Sequence, residues 1–258
     1  MKSLQNQWAC RVWTSFVICA GLLCSSSAVD AKPKPSVTLD GETIQVYWND
    51  GDSFRVSSRS HKGLKVRIGG YNTLENHGPV HQWGRWTKDQ LLHLAYQAKD
   101  VANGHKWACF RVLKDGKVQK DHYGRTLIEC PDLATELIEA GLAHVFAFTP
   151  EDVDPKQLEK QLTAQKEGVG MWALGVPDGI VTSAHSADEK PGEKEWRAYN
   201  RIANTRTGLM SKVEHDAVYP ECTDVCFQGS CLLYVPFKRR YGNDRAACLF
   251  RKKKKDSK

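Results

Sequence analysis

Between residues 42 and 68 the chain alternates strand-length apolar runs with glycine-bearing turns, which commits its first half to short β-strands. Residues 43–48, 53–57 and 64–68 each read as one strand. Asp50-Gly51 and Lys62-Gly63 separate them as hairpin turns. The period then changes. Leu91, Leu94, Ala95, Ala98 and Ala102 recur at steps of three and four, which gives a helix one apolar face. Thr87 and Gln90 fit a capping box at its start. Residues 107–113 and 125–130 read as two more strands joined by a charged loop. Asp132 is expected to cap a helix through Ala140 that Gly141 ends, and Asp154-Pro155 to open another, with Leu158 and Leu162 inside and Gly168 as its stop. Five short strands with a helix after the third and two helices at the end predict an α+β chain. Its centre is a five-stranded, closed, OB-like β-barrel with three helices.

The flanks read differently. An apolar run over 12–23, basic residues before it and small residues after it make 1–31 an expected signal peptide, too short for a membrane span. Residues 32–40 are a polar lead-in. The barrel domain is expected over 40–174, a linker over 175–192 and a Cys-containing extension over 193–258. That extension should hold a helix near 193–204 and a basic end at 251–255. No internal repeat is evident. With 41% hydrophobic residues the chain is not a disordered polymer, and its formal charge of +7 makes a polyanion a reasonable partner without specifying one.

Of nine cysteines, Cys10, Cys19 and Cys24 leave with the signal. Cys109, Cys130, Cys222, Cys226, Cys231 and Cys248 remain, an even set suited to disulfides in an oxidising compartment. Cys109 and Cys130 lie on the two strands that flank the charged loop. An antiparallel register placing Arg111 opposite Ile128 and Leu113 opposite Thr126 brings the two sulfurs together. The last four cysteines could form two disulfides, favoured by export, or hold a structural zinc. Their connectivity is not readable from spacing.

Cutting a phosphodiester needs carboxylates to hold a metal, a group that acts on water and fixed cations facing the phosphate. Arginine suits the last role because its planar fork matches two phosphate oxygens. The chain offers Asp50-Gly51-Asp52 at a turn, Arg67 at a strand end, Glu75 in the next loop and His122-Tyr123-Gly124-Arg125 before a strand. Taken singly, each of these is more often a turn or a solvated surface group. Trp83 and Trp86 could stack on bases, but at the head of an amphipathic helix they are more often core.

The runs VYWNDGDSFRV, KVRIGGYNTLEN and KDHYGRTLIEC, with AQKEGVGMW later, resemble the signature stretches of the staphylococcal nuclease family over about residues 40–174. The resemblance implies a calcium-dependent endonuclease that acts on DNA and RNA and leaves 3′-phosphate ends. By motif, Asp52 matches the calcium ligand and Asp50 its supporting acid, with Asn72 and Thr73 in the same metal group. Arg67 and Arg125 match the two phosphate-binding arginines, and Glu75 the general base or water-orienting residue. Tyr123, with His122 beside it, matches a contact to the nucleotide phosphate. Asn72 departs from the family's usual aspartate. It retains a carbonyl oxygen but removes one negative charge, so a cation other than Ca2+ becomes an alternative. His77, His81 or His122 could replace the lost ligand, although exposed loop histidines are the commoner case. A monomer acting on DNA and/or RNA is expected, secreted or periplasmic, without stable membrane association after signal cleavage. The rival reading is an OB-type module that binds nucleic acid without cutting it.

Overall fold

The computed structural model describes residues 34–190 and 196–249. The expected signal peptide (1–31), residues 193–195 of the expected helix and the basic end at 251–255 lie outside the described residues.

Four strands open the fold, β1 (Ser36–Leu39), β2 (Glu42–Trp48), β3 (Ser53–Val56) and β4 (Lys65–Ile68). In β2 every second side chain from Ile44 to Trp48 is buried, the period-two pattern of a strand with one face on a core. After β4 come the short strands β5 (Tyr71–Thr73) and β6 (His81–Trp83), then helix α1 (Lys88–Gly104), strand β7 (Trp107–Arg111), the loop hairpin β8 (Leu113–Lys114) and β9 (Lys117–Val118), and β10 (Thr126–Glu129). The barrel closes in the order β1-β2-β3-β4-β10-β7, with β1 returning parallel to β7. It therefore has six strands rather than five. The sixth, β1, falls within the polar lead-in, whose Val37 and Leu39 are buried on alternate positions. Trp48, Phe54, Val66, Ile68 and Ile128 fill the interior, with Trp48 edge-on to Phe54 at 5.0 Å. Burying each such side chain stabilises by about 1.5–3 kcal/mol.

Thr87 caps α1 through the reciprocal Thr87–Gln90 box, and Leu91, Ala95, Ala98 and Ala102 form its buried face. Helix α2 (Pro131–Glu139) starts two residues earlier than expected. Cys130, not Asp132, is its N-cap, because Pro131 takes the first helical position, where no N–H is needed. Strand β11 (Ala143–Val145) pairs with β5, and α3 (Pro155–Glu167) begins at Asp154 and ends at Gly168 in the left-handed region. Trp83 and Trp86 both donate their indole N–H to the Met171 carbonyl, so both are structural anchors.

The linker expected over 175–192 contains strand β12 (Gly179–Ala184), and the helix expected near 193–204 is instead strand β13 (Ala198–Asn204). With β14 (Met210–His215) they form an antiparallel three-stranded sheet. Small polar residues such as Thr182 and Ser183 gave β12 the look of a linker. Its stability comes from partners distant in sequence. In β13 the buried positions Ala198, Asn200 and Ile202 alternate, a strand period inside a helix-like composition. A hairpin of β15 (Asp224–Phe227) and β16 (Ser230–Leu233) follows, and β16 adds edge-on to β6. Ile180 packs with Leu74, Trp83 and Trp172. Val235, Ala246 and Leu249 pack with Val80. Gln161 on α3 accepts from the Val145 N–H at 2.6 Å and donates to the Thr205 carbonyl at 2.5 Å. The described residues from Lys34 onward thus form one unit.

All six late cysteines are paired, Cys109 with Cys130, Cys222 with Cys248 and Cys226 with Cys231. Arg111 lies opposite Ile128 as expected. Leu113 does not face Thr126; it turns into the loop hairpin opposite Val118, and Lys120 bridges Thr126 instead. Disulfides on this scale fit an oxidising compartment. Among the described residues no helix is long and apolar enough to cross a membrane.

Candidate active site

The register of β3 on β4 sets Ser53 opposite Arg67 and brings the Asp50-Gly51-Asp52 turn over the end of β4. A side chain at Gly51 would collide with its neighbours, since a Cβ there would stand 2.7 Å from Thr73 Cγ2 and 3.0 Å from Ala98 Cβ. The turn is therefore wedged between β5 and α1. Asp50 Oδ1 accepts from Ser53 Oγ at 2.8 Å and from the Asp52 N–H at 3.2 Å. Asp52, only 3% exposed, accepts from the Thr73 N–H at 2.8 Å and its hydroxyl at 3.2 Å, and its other oxygen pairs with the Arg67 guanidinium. Arg67 also donates to Asn72 Oδ1 at 2.6 Å and to the Tyr71 carbonyl at 3.3 Å.

Asp50, Asp52, Arg67, Asn72 and Thr73 thus form one contiguous cluster. Glu75 follows on the same loop, close enough that its carboxyl is raised by burial first and by the Asp52 charge second, while Arg240, Arg67 and Arg125 oppose the rise. Burial, then repulsion from Asp52 and Glu75, pushes Asp50 well above the carboxylate range. Arg125 is half-buried, its guanidinium held by Asp121 at 2.6 Å and lying 5.6 Å from the centre of the Tyr123 ring. Tyr123 is 59% exposed, and the exposed His122 ring lies 3.7 Å from it, centre to centre. Neither reaches the acid cluster by hydrogen bond.

An excess of carboxylates whose charges repel each other, Asp52 buried and Asp50 and Glu75 half-buried, suits a cation. Oxygen donors alone suit a hard divalent one. Among the described residues no three His, Cys, Asp or Glu side chains form a ready cage. Asn72 is 8% exposed with its amide oxygen committed to Arg67. His77 is engaged with the Asn49 carbonyl at 2.6 Å, and His81 is buried edge-on to Trp83.

Residues 65–174 match the family model described as staphylococcal nuclease homologue. The chain carries a staphylococcal nuclease homologue domain. An uncharacterized endonuclease of Haemophilus influenzae is 30% identical over 133 residues, covering 50% of this chain and 65% of the relative. The chain thus spans less than two thirds of that relative's length. The family match stops before β12, so the sheet and hairpin that follow are outside what the nuclease homologue domain accounts for.

Sequence reasoning missed three neighbours of the cluster. Tyr71 donates its hydroxyl to the Gly51 carbonyl at 2.8 Å and props the acid turn from beneath. His144 lies opposite Asn72 in the β5–β11 register. Arg240 reaches the Glu75 loop from the C-terminal segment. None carries a local sequence signal, because each contact depends on strand register or on a long-range approach.

Proposed function

We propose that the chain is an exported endonuclease that hydrolyses phosphodiester bonds of DNA and/or RNA with the help of a divalent cation, leaving 3′-phosphate ends. The observation that carries this reading is the gathering of Asp50, Asp52 and Glu75 in one desolvated group beside Arg67 and within the field of Arg125. A module that only binds a polyanion has no use for three acids gathered beside its arginines, one buried and two half-buried.

Asp50 and Asp52 would hold the cation, with Asn72 and Thr73 beside them. Bound there, it neutralises charge on the phosphate. Ca2+ is the expected ion, and another divalent cation is the alternative because Asn72 stands where a carboxylate would bind calcium more tightly. Burial keeps Glu75 closer to neutrality in its affinity for a proton, which suits a group that orients or deprotonates the attacking water. Arg67 and Arg125 would meet the charge that builds on the phosphate oxygens. To do so, Arg67 must exchange part of its Asp52 and Asn72 contacts for substrate. Tyr123 and His122 would line the exit of the strand. Three disulfides support export to the periplasm or beyond, and the chain would act as a monomer.

The purified full chain should cut single-stranded and duplex DNA with added Ca2+ or Mn2+ and stop in EDTA. Arg67→Ala and Arg125→Ala should each lose about 3 kcal/mol of transition-state stabilisation, roughly a hundredfold in kcat/KM. Tight DNA binding with no cleavage under any divalent cation would leave the binding-module reading in its place.

A further inference from the structure

We propose that Arg240 is a third phosphate-binding arginine of this site, delivered to the Glu75 loop by the C-terminal segment; this rests on the nuclease reading. Two features fix that segment in place. Strand β16 hydrogen-bonds to β6, directly downstream of the Glu75 loop, and the Cys222–Cys248 disulfide ties the chain after β16 to the residues just before β15. Arg239 then clasps Glu221 with two nitrogens, at 2.7 and 3.3 Å. The backbone of Arg240 is therefore held against the segment that carries Glu75, Gly78 and β6.

Its side chain is fixed too. The stem of Arg240 lies across Gly78, where a Cβ would stand 2.9 Å from Cγ and 3.0 Å from Cδ. Any other residue at position 78 would push the arginine away. Arg240 Nε donates to the Val235 carbonyl at 2.9 Å, which orients the guanidinium plane. Among the described residues its two terminal nitrogens have no hydrogen-bond partner and no carboxylate pairs with it. Arg67 by contrast is paired with Asp52, and Arg125 with Asp121. The charge of Arg240 nevertheless acts on Glu75 more strongly than that of Arg67 or Arg125. Its neighbour Tyr241 feels both Glu75 and Asp50.

A half-buried guanidinium, anchored by its stem and Nε with its fork left open beside an acid cluster, is preorganised for a planar two-oxygen acceptor. Glu75 is the carboxylate whose charge Arg240 meets, and among the described residues the two form no ion pair, so the open fork is left for a substrate phosphate. The family match ends before this segment, so the contact is a property of the appended region.

The full chain and its Arg240→Gln and Arg240→Lys variants separate a phosphate contact from a packing role, since both replacements keep a stem over Gly78. Binding of a short single-stranded oligodeoxynucleotide is measured by fluorescence anisotropy in EDTA, and cleavage with Ca2+ or Mn2+. Arg240→Gln should weaken binding about tenfold, raise KM more than it lowers kcat and lower the slope of log Kd against log salt by about 0.7, one single-strand phosphate contact. Arg240→Lys should recover much of the binding. Equal binding and cleavage by wild type and Arg240→Gln would overturn the proposal while leaving the nuclease reading intact. Arg240→Lys should keep the wild-type salt slope while binding less tightly than arginine, because it supplies the charge without the planar fork; a slope as low as that of Arg240→Gln would also overturn the proposal. A chain that binds but never cuts, with Arg240→Gln weakened, would sink the nuclease reading and keep Arg240 as a phosphate contact. Melting curves of both variants identify any that fails to fold. In that case the lysine variant alone decides, by keeping the wild-type salt slope or not.

Discussion

Asp50 is held above the carboxylate range by burial and by the charges of Asp52 and Glu75, so at neutral pH its ionised form works against the fold. A raised carboxylate stabilises fully below its unfolded value, about 3.9, and that contribution is lost as pH rises through the folded value. Asp50→Asn keeps an oxygen for Ser53 Oγ and the Asp52 N–H, and it removes the charge. In EDTA at pH 7 it should raise stability, with the gain vanishing below about pH 4. Cleavage should need more metal, since one of the acids proposed to hold it is gone. Urea midpoints at pH 7 and pH 4 decide the matter, and a variant less stable at pH 7 would show that the acids do not repel. At this scale Asp52, Arg67 and Glu75 were legible because turn, strand end and loop place them in order along the chain. Arg240 was not, because nothing in the Lys238-Arg239-Arg240-Tyr241 run distinguishes a site contact from a solvated basic patch.

Strands β5, β6 and β11 show how register builds an environment the sequence does not announce. His144 on β11 and His81 on β6 are both buried, and burial lowers His144 to about 4 and His81 to about 3, His81 being pushed further down by its neighbour His144. Neither His81 nitrogen nor Nε2 of His144 has a hydrogen-bond partner. Both rings are neutral when folded, while in the unfolded chain they take up protons below about pH 6.5. Stability should therefore be complete above that pH and fall steadily as pH drops toward about 4. His81→Leu removes one such proton uptake and two unsatisfied nitrogens. It should flatten the loss between pH 6.5 and 4 by about 2 kcal/mol or more. Denaturant midpoints across that range check it. A wild-type slope in His81→Leu would mean that other groups govern the acid limit. The histidines were visible in the sequence, but their burial depends on pairing between segments far apart. The same reason hid β12 and β13, whose small polar residues and helix-like composition are overridden by their partners. Helices α1 and α3 were legible because capping and period are local.

The whole molecule is built so that the nuclease homologue domain does not end where its family match ends. Leu74, next to Glu75, and Trp83 pack against Ile180 of β12. Val80 packs against Leu233, Val235, Ala246 and Leu249. Strand β6 takes β16 as its edge partner, and Gln161 reaches the Thr205 carbonyl across the same boundary. Each large apolar side chain left uncovered forfeits about 1.5–3 kcal/mol, and a domain has only roughly 5–15 kcal/mol to lose. A chain reduced to residues 34–175 should therefore be poorly soluble or melt far below the full chain, and its Glu75 loop should exchange amide hydrogens quickly. The full chain should unfold in one transition by near-UV and far-UV circular dichroism alike. Two separate transitions would contradict this, as would a fragment as stable as the parent. In either case the appended strands would be a passenger, and the loop that carries Glu75 would owe its shape to the barrel alone.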